Sequence, residues 1–247
     1  MNSFDIVIPV GPNDIDILND QVEYTKKNII GYRNIYIIAF KDDLKIDDCI
    51  IISEKIFPFN MNDIINYIGD TKKKGWYLQQ LIKLYAGSVI PNILQRYLVI
   101  DCDTFFLKPT KFINDQDKCL YNVGIEYHLP YFEHMKRLHP SLNRMYNEYS
   151  GICHHMMYEQ KYLNEIFNLI ENFHNDIFWK IFMKLVDKYY WNSEGASEYE
   201  LYFNYILKYH PNDIEIRLLK WNNNEKYSMI KHNKYYDYCS YHWYKRQ

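Results

Sequence analysis

Two aspartates one residue apart, Asp101 and Asp103, are the side chains of this sequence best suited to chemistry. They follow an apolar run at 97–100, which predicts a buried strand ending at the two carboxylates. Carboxylates this close repel each other, and a divalent cation offsets the repulsion. Mg²⁺ and Mn²⁺ prefer oxygen ligands, and Mg²⁺ is usually shared between carboxylates and substrate phosphates. The pair therefore predicts a site for Mn²⁺ or Mg²⁺ and a phosphorylated substrate, with a solvated turn as the alternative.

A second group of candidate side chains shares one face of a helix predicted at 76–86 and ended by Gly87. Trp76, Gln80 and Lys83 fall at positions i, i+4 and i+7, while the apolar residues between them face the sheet. An aromatic ring, an amide and a cation on one face suit a nucleotide or a sugar phosphate. A solvated face with a partly buried tryptophan is the alternative.

Adjacent histidines, His154 and His155, lie in a strand predicted at 152–157. Neighbouring side chains of a strand point to opposite faces, so we expect at most one of the two to face a cleft. The alternation does not decide which of the two this is; His155 is counted among the candidates for the donor site, with packing in the core or at the surface as the alternative for either residue.

Near position 198 the sequence predicts the start of a helix over 197–209. Ser197 and Glu200 have the spacing of a capping box, which gives Glu200 a structural duty. Glu198 has no such duty at the first helical position, and the helix dipole favours its charged form there. A charged carboxylate in a cleft can act as a general base, with a surface glutamate that only stabilises the helix as the alternative.

The C-terminal segment 235–244 is unusually aromatic, which predicts that it docks on the fold rather than frays. His242 lies within it. Its imidazole is a candidate to complete a metal site or to contact a diphosphate, with plain packing as the alternative.

Apolar runs and amphipathic stretches alternate along the chain and predict a parallel α/β sheet with right-handed crossovers. Strands are expected at 5–10, 34–40, 49–52, 97–100, 120–125, 152–157 and 214–219, and helices at 14–27, 76–86, 162–173, 177–190 and 197–209. Ligands of such sheets bind beyond the carboxyl ends of the strands. The turn at Pro9, Val10 and Gly11 and the aspartates at 101 and 103 both lie at such ends, so we expect them to line one crevice.

The overall composition narrows the class of protein. The chain has 247 residues, 48% of them hydrophobic, and a formal net charge of −2, which argues against a nucleic-acid binder. It contains no apolar window long enough to span a membrane. The five cysteines form no C-x-x-C pair, which favours reduced thiols and a cytoplasmic setting. We expect a single domain over 1–247, with a nucleotide-binding half at about 1–110 and an acceptor-side half beyond it.

Taken together, these segments resemble the nucleotide-sugar glycosyltransferases of the GT-A fold that carry a D-x-D motif. The resemblance is closer to a group of uncharacterised glycosyltransferases of bacteria and large DNA viruses. The matching segments are 6–10, 75–84, 99–104, 150–155 and 197–202, in the expected order. The fold this resemblance implies is a single-domain GT-A (Rossmann-like) α/β fold with a mixed, mainly parallel sheet flanked by helices.

The resemblance also implies an activity: transfer of a sugar from a nucleoside diphosphate, with a UDP-sugar favoured, to a hydroxyl of a glycan, protein or small molecule. Asp103 would bind Mn²⁺ or Mg²⁺, Asp101 would hold the ribose or share the metal, and His242 would be the third protein ligand. If the reaction inverts the anomeric centre, Glu198 would be the base. The residues expected near the donor are Pro9, Val10, Gly11, Trp76, Gln80, Lys83, Asp101 and His155. The C-terminal segment lacks the His-x-x-Gly-x-x-Lys-Pro-Trp pattern of the glycogenin-like group.

Other functions remain open at the level of sequence. A GT-A-like module that only binds nucleotide or glycan is one, and a nucleotidyltransferase is another. A phosphatase with an aspartyl nucleophile also uses D-x-D, but its D-x-D-x-[TV] pattern is broken here by Phe105. A second copy of the chain is a candidate partner.

Overall fold

The computed structural model of the chain describes residues 3–224, 230, 233 and 235–242. In this part of the chain the strands are β1 (Phe4–Val10), β2 (Ile29–Ile30), β3 (Tyr32–Ala39), β4 (Ile50–Ser53), β5 (Arg96–Ile100), β6 (Thr104–Phe106), β7 (Thr110–Lys111), β8 (Cys119–Tyr121), β9 (His155–Glu159), β10 (Ile214–Ile216), β11 (Trp221–Asn223) and β12 (Tyr238–Ser240). The helices are α1 (Ile15–Asn28), α2 (Met61–Ile68), α3 (Lys74–Val89), α4 (Leu129–Leu138), α5 (Gln160–His174), α6 (Phe178–Lys184) and α7 (Glu198–Tyr209), with short 3₁₀ turns at Glu54–Ile56 and Lys188–Tyr190.

A central five-stranded sheet in the order β4-β3-β1-β5-β9 organises the fold. Its first four strands are parallel, and β9 pairs antiparallel with β5. Every residue of β1 is buried, as expected for a parallel strand covered on both faces. The predicted α/β class, with a mixed and mainly parallel sheet flanked by helices, is confirmed.

The C-terminal part of the described chain forms a separate three-stranded sheet, in the order β11-β12-β6, with the strand that follows the D-x-D turn. Strand β12 pairs antiparallel with β6, which places Ser240 opposite Thr104. The hydroxyls of these two residues are hydrogen-bonded at 2.8 Å, and the backbone N–H of Tyr241 donates to the carbonyl of Asp103 at 2.8 Å. The predicted docking of the aromatic segment is therefore confirmed for residues 235–242. Its last aromatic residues, Trp243 and Tyr244, lie outside the described residues.

Several predicted elements are shorter than expected. The strand predicted at 120–125 ends at Tyr121, after which the chain is irregular and Ile125 is exposed. The helix predicted at 177–190 ends at Lys184 and is followed by a separate 3₁₀ turn. The late strand predicted at 214–219 ends at Ile216. The structure also contains helices that the sequence pattern did not indicate, α2 and α4.

Two predicted helix ends differ in detail. Asp14 occupies the N-cap position of α1, but its side chain makes no capping hydrogen bond. Gly87 does not end α3, which continues to Val89. Gly87 is instead a packing residue, because a Cβ at this position would collide with Gln160 Oε1 and with the ring of Tyr97.

This close packing makes Gly87→Ala a test of how α3 sits on the sheet. Alanine favours a helix by about 1 kcal/mol over glycine. Overpacking costs about 1–3 kcal/mol, so we expect a net loss of stability in urea unfolding. Gly75→Ala, in the first turn of the same helix, is the matched control, because a Cβ there meets nothing within 4 Å. Equal stabilities of the two variants would show that the structure accommodates a Cβ at Gly87, and would contradict this prediction.

One large hydrophobic cluster draws residues from both halves of the chain, from Phe4 in β1 to Tyr238 in β12. None of the helices in the described residues is long and apolar enough to cross a membrane.

Candidate active site

The turn after β1 and the turn after β5 meet at one edge of the central sheet. The two strands are parallel neighbours, with Val7 opposite Val99, so both lead to the same edge. Cys102, between the two aspartates, is buried, and its Sγ lies 3.9 Å from the carbonyl oxygen of Asp14. Pro9 and Val10, predicted to form a turn, are the last residues of β1, and they lie with Gly11 at the same edge of the sheet as the Asp-Cys-Asp turn.

A buried lysine joins Asp101 to Glu198. Lys83 Nζ, on α3, lies 2.6 Å from Asp101 Oδ1 and 2.7 Å from Glu198 Oε1. The hydroxyl of Tyr199 donates to Asp101 Oδ1 at 2.9 Å and accepts from Lys83 Nζ at 3.2 Å. The side chains of Lys83 and Glu198 are each only 4% exposed and that of Asp101 is 20% exposed, so two members of this ion triad are buried and the third reaches solvent.

The charges in the triad depend on one another. Burial acts to lower the pKa of Lys83, but the carboxylates of Asp101 and Glu198 outweigh burial and raise it. Burial likewise acts to raise the pKa of Asp101, but Lys83 and His154 lower it well below its usual value. At Glu198 burial prevails and raises the pKa, with Lys83 opposing it only in part. Lys83 therefore holds the charge on Asp101, while Glu198 is the carboxylate closer to taking up a proton.

Gln80, one helical turn before Lys83, fixes the start of α7. Its Oε1 accepts the backbone N–H of Glu198 at 3.0 Å, whereas its Nε2 is buried with no hydrogen-bond partner within the described structure. Glu198 takes the predicted first position of α7. It is not free of other duties as expected, because its carboxylate is bound to Lys83.

The predicted cap of α7 is present in a different form. Ser197 Oγ accepts the backbone N–H of Glu200 at 3.2 Å, as expected of an N-cap. The carboxylate of Glu200 instead accepts from Ser150 Oγ at 2.6 Å and from the backbone N–H of Gly151 at 3.2 Å. Glu200 is therefore structural, and it anchors the segment that leads to His154.

Each aspartate of the D-x-D turn has a histidine beside it. His242 Nδ1 lies 2.9 Å from Asp103 Oδ2, and His154 Nδ1 lies 3.6 Å from Asp101 Oδ2. The two imidazole rings meet edge to face, with centroids 4.9 Å apart.

His155, which we expected at the donor site, is a core residue instead. It is 2% exposed and packs against Phe106, Phe112 and Tyr238, and burial lowers its pKa to about 3. The strand starts only at His155, and His154 before it has a left-handed backbone with φ of 63°. This turn directs His154, rather than His155, towards the aspartates.

Trp76 does not join the residues around the D-x-D turn. It lies two helical turns before Lys83, about 10 Å along α3. Its ring stacks on Tyr131 of α4, with centroids 6.5 Å apart. The helix face carrying Trp76, Gln80 and Lys83 therefore exists as predicted, but Trp76 faces the second half of the chain.

Comparison with known proteins places the chain in a family. The family model described as a family of unknown function, DUF6492, matches residues 34–241. The chain belongs to DUF6492. No curated protein matches this DUF6492 chain.

Three solved structures similar to the DUF6492 chain each share 10% sequence identity with it. The match to the apo form of mouse xyloside xylosyltransferase 1 covers 97% of each of the two chains and has a TM-score of 0.46. An active-site mutant of LgtC has a TM-score of 0.49, and the galactosyltransferase LgtC with donor and acceptor sugar analogs has one of 0.46. Each of these two matches covers 96% of this chain and 87% of the LgtC chain. With all three scores below 0.5, we draw no functional conclusion from these similarities.

Asp103 offers a carboxylate oxygen, the kind of ligand that a hard divalent cation takes. No three His, Cys, Asp or Glu side chains within the described residues converge into a complete metal site. Mg²⁺ commonly takes only one or two carboxylates from the protein and completes its shell with phosphate oxygens. Asp103 with His242 matches that requirement, whereas Asp101 Oδ1 is already engaged by Lys83 and Tyr199.

Some site residues of the DUF6492 chain carried no signal in the sequence. Tyr199 lies directly after Glu198 and has no spacing that would mark it as a partner of Asp101. The link between Lys83 and Glu198 joins residues 115 positions apart. The alternation of side chains indicated that at most one of the adjacent histidines faces the cleft, but it did not indicate that this is His154.

Proposed function

We propose that this chain is a metal-dependent glycosyltransferase, which moves a sugar from a nucleoside diphosphate, with a UDP-sugar favoured, to a hydroxyl of a glycan, protein or small molecule. The observation that supports this most is the arrangement of the D-x-D turn at the carboxyl ends of the parallel strands. Asp103 is paired with His242, and Asp101 is held charged by buried Lys83. Paired carboxylates at this edge suit a cation and a phosphorylated ligand better than a structural turn.

Each residue has a proposed task in donor binding. Asp103 and His242 would hold Mn²⁺ or Mg²⁺ together with the diphosphate. The bound cation would act as a Lewis acid that neutralises the departing nucleoside diphosphate. The backbone of Pro9, Val10 and Gly11 would lie against the base and ribose. Gln80 Nε2, a buried donor without a partner in the described structure, would donate to a sugar or phosphate oxygen.

Glu198 is our candidate for the base that takes the proton of the acceptor hydroxyl, if the reaction inverts. Burial raises its pKa, which brings the carboxylate closer to the value that suits a general base near neutral pH. Lys83 donates to Oε1 at 2.7 Å and so fixes the orientation of the carboxylate.

The release of nucleoside diphosphate from a panel of UDP-, GDP-, CMP- and dTDP-sugars tests this function. We expect release from one donor class, dependent on Mn²⁺ or Mg²⁺ and accelerated by an acceptor. Metal-dependent binding of a nucleotide without release would indicate a binding module. Inorganic phosphate from a phosphomonoester would indicate the phosphatase, and pyrophosphate from a nucleoside triphosphate would indicate a nucleotidyltransferase. Any of these three results would contradict the proposed transfer.

A further inference from the structure

The aromatic ring of Trp76 belongs to a helix face that leads to the start of α7, where the proposed base Glu198 lies. Trp76 and Gln80 are one turn apart on this face of α3, about 6 Å along the helix axis. Gln80 Oε1 accepts the backbone N–H of Glu198 at 3.0 Å, so the face packs on the first turn of α7. Gln80 Nε2 is buried and has no hydrogen-bond partner in the described part of the chain. Between Trp76 and Glu198 the protein thus holds an amide donor that no described residue uses.

Hydrogen bonds fix the segment 190–195 against the beginning of α3. The Tyr77 hydroxyl accepts the backbone N–H of Gly195 at 3.0 Å and lies within 3.1 Å of two carbonyl oxygens of the same segment. His128 Nε2 lies 2.7 Å from the carbonyl oxygen of Glu194, which ties the residues before α4 to this segment. The three segments therefore form one wall, joined by hydrogen bonds to backbone atoms.

Tyr131 adds a second ring to this wall. The rings of Trp76 and Tyr131 are tilted by only 26°, with centroids 6.5 Å apart, and both side chains are partly exposed. Lys73 Nζ lies 5.7 Å from the centroid of the Trp76 ring and pairs with Glu194. Burial and the carboxylates of Glu194 and Glu198 raise the pKa of Tyr131, so its hydroxyl stays protonated within electrostatic range of Glu198. The wall thus combines two accessible aromatic rings with polar groups at its rim.

A pyranose ring suits a wall of this composition. Its C–H groups form an apolar face that packs on the negative face of an aromatic ring, while the hydroxyls at its edge need hydrogen-bond partners. Ligand sites usually combine aromatic walls with a few such polar groups. A serine or threonine hydroxyl has no apolar face large enough to cover Trp76. The wall therefore favours a sugar among the acceptors that the proposed function leaves open.

We propose that the acceptor is a sugar whose pyranose ring stacks on Trp76, with the hydroxyl to be glycosylated turned towards Glu198. This proposal rests on the proposed function and narrows its acceptor to a glycan or a simple glycoside. Tyr131 would donate its hydroxyl proton to an oxygen at the edge of the same ring. Trp76 then determines specificity on the acceptor side, whereas the sequence predicted it on the donor side.

Saturation-transfer NMR on the full chain tests this proposal without any need for turnover. The probes are methyl α- and β-pyranosides of glucose, galactose, mannose, xylose and N-acetylglucosamine, added with Mn²⁺ and the nucleotide that binds. We expect at least one probe to bind wild type, and its Kd to rise by about 10-fold in Trp76→Leu but by no more than about 3-fold in Trp76→Tyr, which keeps a ring. Leucine is a good helix former, and the melting temperature of each variant checks its fold.

Tyr209→Ala is the matched control for the loss of a ring. Tyr209 is 42% exposed and lies at the opposite end of α7 from Glu198, so the glycoside Kd should not change in this variant. The affinity for the nucleotide should also be the same in Trp76→Leu as in wild type.

Three results would overturn the proposal. Two of them, no glycoside bound by a wild type that binds a nucleotide and an unchanged glycoside Kd in Trp76→Leu, would leave the glycosyltransferase proposal intact. A folded Trp76→Leu with weakened nucleotide binding would place Trp76 on the donor side instead. A wild type that binds none of UDP, GDP, CMP and dTDP with Mn²⁺ would contradict the proposed function itself, and the sugar acceptor with it.

Discussion

Lys83→Met is expected to lower the free energy of unfolding by about 3–5 kcal/mol near neutral pH. The change leaves buried Glu198 and partly buried Asp101 without the ammonium that both of them contact. For a chain of this size, such a loss corresponds to a drop in melting temperature of about 10 °C. Urea unfolding of both proteins measures it.

The loss of unfolding free energy caused by Lys83→Met should be smaller at acidic pH. Asp101 has a lowered pKa in the folded wild type, so its contribution is present above the pKa of the unfolded chain, about 3.9, and is lost as the pH falls. Glu198 acts in the opposite direction. Burial raises its pKa, so its protonation at lower pH stabilises the folded protein. In the variant both carboxylates can take up protons, so we expect a smaller difference from wild type at about pH 4 than at about pH 7.

Two further variants isolate the charge effect. Lys74→Met makes the same change in the exposed first turn of α3, where a surface ion pair is worth about 0–1 kcal/mol. Combining Lys83→Met with Asp101→Asn and Glu198→Gln removes the stranded charges and should restore much of the lost stability. If Lys83→Met alone were as stable as wild type, Lys83, Asp101 and Glu198 would not form a coupled unit.

Asp103→Ala is expected to abolish metal-dependent binding of the donor nucleotide. Its carboxylate, which lies beside His242, is the proposed oxygen ligand of the metal and, unlike that of Asp101, is not paired with Lys83. We expect the affinity for UDP in the presence of Mn²⁺ to fall by about 100-fold or more, or about 2.7 kcal/mol. Isothermal titration calorimetry measures the change.

The fold of Asp103→Ala should survive, because buried Lys83 pairs with Asp101 and Glu198 rather than with Asp103. Asp115→Ala is the matched control, since the side chain of Asp115 is 98% exposed. Donor affinity in Asp103→Ala equal to that of the control would rule out Asp103 as a ligand of the metal.

The sequence predicted those parts of the site that depend on local patterns. The apolar run before Asp101 predicted a buried strand ending in carboxylates, because burial on both faces of a parallel strand requires such a run. Helical spacing placed Gln80 and Lys83 on one face, where the structure has them both contacting Glu198. The Ser197 cap likewise has a local signature, and the helix begins where it predicts.

The missed features depend on contacts between distant segments. Alternation along a strand could not decide between His154 and His155, and the left-handed backbone that directs His154 to the aspartates carries no sequence mark. Gly87 was interpreted as the end of a helix, but it is small because Tyr97 and Gln160 pack against it. These outcomes depend on tertiary packing, which local propensity does not encode.

Thermal unfolding in the presence of UDP, GDP, CMP or dTDP, each with and without Mn²⁺, tests the glycosyltransferase proposal most directly. A ligand at about 100 times its Kd adds about 2.7 kcal/mol of stability, which corresponds to roughly 5–10 °C for a chain of this size. We expect such a rise with one nucleotide, UDP being favoured, only when Mn²⁺ is present, and we expect it to be lost in Asp103→Ala. No Mn²⁺-dependent rise with any of these nucleotides would contradict the proposal that the D-x-D turn binds a nucleoside diphosphate through a metal ion.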